Sequence, residues 1–274
     1  FRGGAFSYTM FTVIMLFGQA LYLNRIAIRH KLYGKPTYIP AFVYLLLTSI
    51  YPSFDYFSVA LLINWCLLAS VDILLRFSQT VNPRKIIFNA AYLLGLAFLL
   101  QFSAIGYLLL LLICMIILRP FNLGEWVVSI LGYITPIYFF LAIVFLFDML
   151  RRVLHFPHID FLITSHSLTR TYLAGCIVGL SILFTAGLLS IQSQMSKINI
   201  YSRRNWIALS VYFIISVFVA VGAGFSVQSG WLLVMPPLAM IISYALSLEK
   251  SKRFSNFMFY FSLLFLVFCQ LAYK

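Results

Sequence analysis

The chain has 274 residues, of which 63% are hydrophobic and only 9% are charged. Because a soluble domain carries roughly a quarter of its residues as Asp, Glu, Lys or Arg, this composition excludes a water-soluble globule. The net charge of +13 does not indicate a nucleic-acid binder either. Lys and Arg lie between apolar blocks instead of along one face of a soluble domain, which is typical of topology signals in a membrane protein.

Apolar residues fall into ten blocks, each close in length to a helix that crosses roughly 30 Å of hydrocarbon. They predict an all-α, polytopic transmembrane helical bundle with about ten spans, forming a single membrane domain over residues 1–274. The blocks are approximately 6–23, 38–51, 56–75, 86–100, 103–118, 126–147, 171–191, 206–222, 230–247 and 254–272.

Blocks 38–51, 86–100 and 103–118 are short, and they belong to hairpins with almost no loop. The linkers at 51–55 and 101–103 contain turn-compatible residues and no Lys or Arg. The alternative is that a pair of short helices forms one re-entrant element, which lowers the number of spans by two.

Positive charge predicts the orientation of the bundle. If alternate loops share a side of the membrane, one side holds fourteen of the 19 Lys and Arg residues and the other side holds five. This asymmetry predicts that the Lys/Arg-rich loops are cytoplasmic and that residues 148–170 lie outside, with residues 171–274 forming a C-terminal four-helix half. Both ends of the chain then face outward, so we expect a further helix before Phe1. The five outward residues are Arg2, Arg151, Arg152, Arg170 and Lys274.

The loop at 148–170 concentrates the charged and titratable side chains of a chain that is otherwise poor in them. Its mixture of apolar and basic residues predicts an amphipathic segment in the headgroup layer. Guanidinium groups bind phosphate bidentately, so these arginines are predicted to bind lipid phosphate, as an anchor or on a lipid-linked substrate. The cluster comprises Asp148, Arg151, Arg152, His155, His158, Asp160, His166 and Arg170.

A metal site in this loop is not predicted. His155 and His158 would share one face of a helix, as metal ligands sometimes do. However, Pro157 lies between them and disfavours a regular helix at that point. The four cysteines, Cys66, Cys114, Cys176 and Cys269, lie in apolar blocks and form no CxxC pair, which predicts free thiols. We predict no cofactor.

Three other carboxylates receive mainly structural interpretations. Asp72 precedes Arg76 by four residues, so the two side chains are predicted to form a salt bridge on one helix face. Glu125 lies near a helix start, where the macrodipole favours a carboxylate and Asn122 or Gly124 is expected near the cap. Asp55 begins a helix at the outer surface and is predicted to cap it.

Polar residues within the spans are predicted to form hydrogen bonds with neighbouring helices. The helix breakers between Gly222 and Pro237 predict an outward hairpin that could line a cavity, as in transporters with broken helices. Tyr and Trp are expected mostly near span ends, in interfacial belts. The polar residues within the spans are Gln19, Asn64, Thr185 and Gln270.

Two resemblances add to these predictions. The run from Asn89 to Ala104, followed by Arg119-Pro120, Glu125-Trp126 and the segment from Gly132 to Pro136, is similar to the membrane core of GT-C glycosyltransferases over residues 1–150. That resemblance implies use of a polyprenyl-phosphate sugar at the outer membrane face and an acidic catalytic residue in the first outward loop. Residues 1–4, which are what this sequence contains of that loop, include no carboxylate. Asp55 is therefore the substitute catalytic candidate.

The segments from Gln19 to Arg25 and from Thr37 to Ala41 resemble a family of uncharacterised bacterial polytopic inner-membrane proteins. This second resemblance is the closer one. It implies a multi-pass protein of the bacterial envelope, located in the inner (cytoplasmic) membrane, and it brings no assigned activity.

The favoured interpretation is a membrane subunit or scaffold of a larger assembly, whose partners are the lipid bilayer and another membrane protein. The first alternative is a GT-C-type glycosyltransferase acting on a lipid-linked sugar. The second is a transporter of a lipid or a small apolar solute, and it depends on the broken helices.

Overall fold

The computed structural model describes residues 2–51, 54, 56–77, 80, 83–148, 170–222, 228–248 and 252–272. These residues form ten α-helices and two 3-10 helices, and no strand occurs among them. The α-helices are α1 (Arg2–Arg29), α2 (Ile39–Thr48), α3 (Val59–Arg76), α4 (Pro83–Leu100), α5 (Tyr107–Leu118), α6 (Leu123–Leu146), α7 (Arg170–Gln194), α8 (Ile200–Gly222), α9 (Met235–Leu246) and α10 (Lys252–Ala272). The 3-10 helices, Phe102–Gly106 and Gln228–Val234, lead directly into α5 and α9.

Each predicted apolar block overlaps one of these α-helices, although α1 and α8 extend beyond the blocks 6–23 and 206–222. Seven helices in the described chain are long and apolar enough to cross a membrane: α1, α3, α4, α6, α7, α8 and α10. The helical, apolar character of the chain is that of a multi-pass membrane protein, as predicted. The shorter apolar segments are Ile39–Thr48, Phe102–Leu118 and Gly230–Leu246.

The fourth and ninth blocks differ from the prediction, the fourth in its length and the ninth in its continuity. The fourth block was expected to be short, but α4 has 18 residues because it begins at Pro83 and includes Arg84 and Lys85 in its first turn. Pro fits the start of a helix well, and polar residues there do not stop the helix. The ninth block is divided, because Pro236 and Pro237 stand at the start of α9 and the residues before them form a 3-10 helix.

Basic residues from several loops come together at one end of the bundle, which we call the basic end. There the Arg119 guanidinium lies 5.5 Å from the ring centroid of Phe77, which follows α3. Arg204 at the start of α8 donates to the Leu118 carbonyl over 3.3 Å. Arg29 and Arg76 meet at the same end, through contacts described below. The fold therefore gathers arginines from α1, α3, α8 and the segment after α5 on one side.

Helices α4 and α6 pack against each other through glycine. A Cβ at Gly132 would lie 2.7 Å from the Phe88 carbonyl oxygen, and a Cβ at Gly95 would lie 2.6 Å from Cγ of Pro136. Apolar side chains give little selectivity between helices in lipid, so close backbone approach at small residues is a main source of helix association.

The loop between α1 and α2 is held by aromatic residues at the basic end. Tyr33 packs edge-on against Trp206 of α8, and Trp206 packs edge-on against Tyr244 of α9, with ring centroids 5.9 Å and 5.2 Å apart. Trp206 Nε1 donates to the Leu32 carbonyl, and the Tyr33 hydroxyl donates to the Met240 carbonyl over 2.8 Å. Burial raises the pKa of Tyr33, so its hydroxyl remains a donor at physiological pH.

Candidate functional site

The best-defined polar site lies where α1 and α3 approach each other at the basic end. Helix α1 ends in a Schellman motif, in which Leu32 N donates to the Ala27 carbonyl and Lys31 N donates to the Ile28 carbonyl. Lys31 occupies the left-handed position of this motif, with φ of 48°. The motif stops the helix directly after Arg29, and the adjacent His30 side chain reaches α3.

Asp72 of α3 is the centre of this site, and its side chain is buried. Arg29 Nη1 donates to Asp72 Oδ2 over 2.8 Å, and Arg76 donates to the same oxygen. His30 Nε2 lies 2.9 Å from Asp72 Oδ1, and the Tyr22 hydroxyl lies 3.5 Å from Oδ2. The predicted pair of Asp72 and Arg76 is confirmed, and Arg29 and His30 of α1 complete the cluster.

The arrangement compensates a buried carboxylate with two guanidinium groups. The Arg29 and Arg76 side chains are 36% and 41% exposed, while Asp72 is almost fully covered. Asp72 is only one turn from the end of α3, so the two arginines remain partly exposed while their donors stay on the carboxylate. These contacts hold α1 against α3, because Asp72 accepts hydrogen bonds from side chains of both helices.

A second ion pair joins the segment after α5 to α6. Arg119 Nη1 lies 3.7 Å from Glu125 Oε1, and Glu125 is buried in the first turn of α6. The Asn122 side chain caps α6 by accepting a bond from Gly124 N over 3.1 Å, which confirms the predicted cap. A hollow of about 400 Å³ opens beside this pair, lined by Ile116, Arg119, Pro120, Phe121 and Trp126.

Hydrogen bonds within the bundle connect helices that are distant in sequence. Gln19 of α1 donates to the Leu61 carbonyl of α3 over 2.7 Å, and its own carbonyl oxygen accepts from the Tyr44 hydroxyl of α2 over 2.7 Å. Asn64 of α3 donates to the Leu232 carbonyl over 3.0 Å. The side chains of Gln19, Tyr44 and Asn64 are fully buried. The predicted roles of Gln19 and Asn64 are confirmed.

The same prediction is wrong for Thr185 and Gln270. Thr185 faces away from the bundle and bonds to the Ile182 carbonyl of its own helix, and Gln270 is also exposed. The expected position of Tyr and Trp near span ends holds for Tyr107 and Trp206, which lie near the starts of α5 and α8. It is wrong for Tyr44 and Tyr212, which lie in the middle of α2 and α8. All four side chains are fully buried, because the bundle interior uses their rings for packing.

A second hollow, of about 220 Å³, lies at the basic end beside the loop that follows α1. The Thr37 hydroxyl oxygen in its wall is buried and has no hydrogen-bond partner among the described residues. Its lining brings together residues from four parts of the chain: Tyr33, Gly34, Lys35, Thr37, Gln194, Tyr244, Ser247 and Leu248.

Most of the site predicted from the outward loop lies outside the described residues. This applies to Asp55 and to the loop residues Arg151, Arg152, His155, His158, Asp160 and His166. Arg170 is the first residue of α7, but its side chain is not described. Asp148, the first residue of the loop, is exposed and has φ of 53°. Among the described residues, no group of three or more His, Cys, Asp or Glu side chains could hold a metal ion.

The sequence alone identified Asp72 but not its three partners on α1, Tyr22, Arg29 and His30. Arg29 and His30 are 43 and 42 positions from Asp72, so no local spacing relates them to it. Their position could have indicated the contact, because the end of the first helix and the end of the third helix are predicted to lie on the same side of the membrane.

Comparisons of this chain with protein-family models, with curated proteins and with solved structures gave no match. The functional conclusion therefore follows from the geometry of the chain itself.

Proposed function

We propose that this chain is a membrane subunit or scaffold of a larger assembly in the bacterial inner membrane. The observation that carries the proposal is the use of its buried polar groups to bind neighbouring helices. Asp72 joins α1 to α3, Gln19 joins α1 to α2 and α3, and Asn64 joins α3 to the 3-10 helix before α9. Such contacts stabilise one arrangement of helices, which is what a scaffold requires.

The broken helix before α9 bears on the transporter alternative. Transporters use the exposed carbonyls of broken helices to bind ions or substrates. In this chain the Leu232 carbonyl accepts a bond from Asn64, and the 3-10 helix packs against α3 and α8. The break is therefore used for helix packing, which favours a scaffold over a transporter.

We further propose that the basic end is cytoplasmic and that the chain crosses the membrane ten times. The combined 3-10 and α segments of Phe102–Leu118 and Gln228–Leu246 measure about 28 Å and about 32 Å, close to the roughly 30 Å of hydrocarbon. Helix α2 measures only about 15 Å. It packs against α1 and α9, so its backbone ends are covered by protein instead of lipid.

The function is tested by purification of the full-length protein in a mild detergent, followed by mass spectrometry of the proteins and lipids that it retains. A stoichiometric membrane-protein partner, absent from an unrelated multi-pass protein with the same tag, is the expected result. A lone protein that retains a polyprenyl-phosphate lipid would overturn the proposal in favour of the glycosyltransferase. Asp55, Arg151 and Arg152 would then be the residues to substitute.

The orientation is tested by labelling intact cells with a maleimide that cannot cross membranes. In a cysteine-free background, Lys35→Cys reports on the basic end and Tyr56→Cys on the opposite end, where Tyr56 is 71% exposed. We expect labelling of the second variant in intact cells and of the first only after the membrane is permeabilised. The reverse pattern would invert the proposed orientation.

A further inference from the structure

Two cysteines from different helices meet at the end of the bundle opposite the basic end. Cys176 of α7 and Cys269 of α10 are 93 positions apart in sequence, yet their Sγ atoms are 3.5 Å apart. Both thiols are free. A disulfide requires an S–S distance of about 2.05 Å, so these sulfurs must approach each other by about 1.5 Å to reach bonding distance.

Glycines of α7 allow α7 and α10 to approach each other closely. A Cβ at Gly175 would overlap the ring of Phe268, and a Cβ at Gly179 would overlap the ring of Phe265. The two glycines are four residues apart and flank Cys176 in the sequence of α7, so they admit the rings of Phe268 and Phe265 of α10 close to the cysteine pair. The juxtaposition of the sulfurs follows from this interface and does not depend on an exposed loop.

The two thiols also differ in access. Cys269 is completely buried, whereas Cys176 is partly exposed, about two turns from the start of α7. The Cys176 sulfur is therefore accessible at the surface of the bundle to an apolar reagent, while the Cys269 sulfur is held beside it. This is the arrangement of an attacking thiol and a resolving thiol.

We propose that Cys176 and Cys269 are a redox-modifiable pair that forms a disulfide and fastens α10 to α7. The compartment rests on the proposed orientation, which places this end outside the cytoplasm, where disulfides persist. The oxidant is the disulfide of a thiol–disulfide oxidoreductase. The Cys176 thiolate attacks that disulfide and releases one thiolate of the oxidant. The Cys269 thiolate then attacks the Cys176 sulfur and releases the second.

Protons and electrons balance in this exchange. The two cysteine thiols together lose two protons and two electrons, and the disulfide of the oxidant is reduced to two thiols. The product fixes α10, which packs mainly against α7 and α9 and presents Tyr260, Leu264 and Leu271 on its exposed face.

The test uses full-length protein in which Cys66 and Cys114 are replaced by Ala, treated with the small apolar disulfide 4,4′-dithiodipyridine. We expect release of two thiopyridone molecules per chain and a product lighter by two hydrogen atoms, with no retained pyridine adduct. The matched variant Cys269→Ser should retain one adduct on Cys176, because no resolving thiol is present. A further control, Cys176→Ser with Cys269→Ser and native Cys66 and Cys114, should form no internal disulfide.

Retention of adducts on both Cys176 and Cys269, or failure of Cys176 to react, would overturn the proposal. In cells, rapid acid quenching and alkylation should find the pair oxidised, and a pair found reduced would also overturn it. Oxidation of the purified protein tests the geometry independently of any assembly partner. A failed search for a partner is therefore distinguishable from a failed disulfide.

Discussion

The two ends of the bundle join their helices by different means. At the basic end, α1 and α3 meet through Asp72 and the side chains of Arg29, His30 and Arg76. At the opposite end, α7 and α10 meet through glycines, aromatic rings and a pair of thiols. The arginines of the first contact remain partly exposed, so water and headgroups share the cost of burying charge. The second contact has no charge and depends on close packing alone.

This difference has a consequence for how each contact fails. An ionic contact fails when one partner is removed, because the remaining charges are left without compensation. A contact built on glycine fails when an atom is added, because the neighbouring backbone or ring must move.

The largest effect is expected when the charge of Asp72 is removed. Asp72→Asn keeps the shape of the side chain but leaves Arg29 and Arg76 facing each other without a carboxylate. Loss of one partner of a buried ion pair costs about 3 to 5 kcal/mol. Because both arginines are more than a third exposed, water screens part of this, and we expect a loss of about 2 kcal/mol in the free energy of unfolding.

The measurement is unfolding by SDS titration in mixed micelles. The matched control is Asp148→Asn, since Asp148 is exposed and Asn also tolerates its positive φ. If both variants unfold at the same SDS fraction as the unaltered protein, Asp72 does not hold α1 and α3 together.

A smaller loss is expected at the close contact of α7 with α9. A Cβ at Gly187 would lie 2.5 Å from the Ile241 carbonyl oxygen, so Gly187→Ala requires the backbones to separate. Overpacking costs about 1 to 3 kcal/mol, and the better helix propensity of Ala offsets up to about 1 kcal/mol. We therefore expect a net loss of about 1 kcal/mol by the same SDS titration.

Gly179→Ala and Gly222→Ala are the variants with which the loss of stability in Gly187→Ala is compared. A Cβ at Gly179 would meet the ring of Phe265, which can rotate away more easily than backbone. A Cβ at Gly222 would meet no atom of the described residues within 4 Å. The expected order of destabilisation is Gly187, then Gly179, then Gly222 with no loss. An equal effect at all three positions would show that helix propensity, and not close approach, determines the outcome.

The smallest effect is expected for a single neutral hydrogen bond inside the bundle. Tyr44→Phe removes the hydroxyl that donates to Gln19 Oε1 and leaves the ring in place. Hydrogen bonds between membrane helices contribute about 0.6 kcal/mol on average, and we expect a loss of that size. Tyr138→Phe, at an exposed position on α6, is the matched control. A loss as large as that of Asp72→Asn would mean that neutral contacts inside the bundle hold α1 as strongly as the ionic contact at its end.

Local patterns predicted the helices well and their contacts poorly. Hydropathy predicted an apolar block at the position of each α-helix, because the length and apolarity of a segment are local properties. The i,i+4 spacing identified Arg76 as a partner of Asp72 for the same reason. It could not identify Arg29, which reaches Asp72 only because α1 and α3 pack side by side. The same limitation applies to Thr185, since hydropathy does not say which face of α7 is turned inward.

The sequence by itself determined the membrane class, the helical content, the approximate ends of most helices and the gathering of basic residues in alternate loops. These properties follow from the sum of transfer free energies along each segment and from the charge of each loop. Only the tertiary structure decided that Asp72 binds α1, that Gly132 meets the backbone of α4, and that Cys176 faces Cys269. Each of these depends on the rotation and depth of two helices that are far apart in sequence. In lipid, those are set by close packing and paired polar groups.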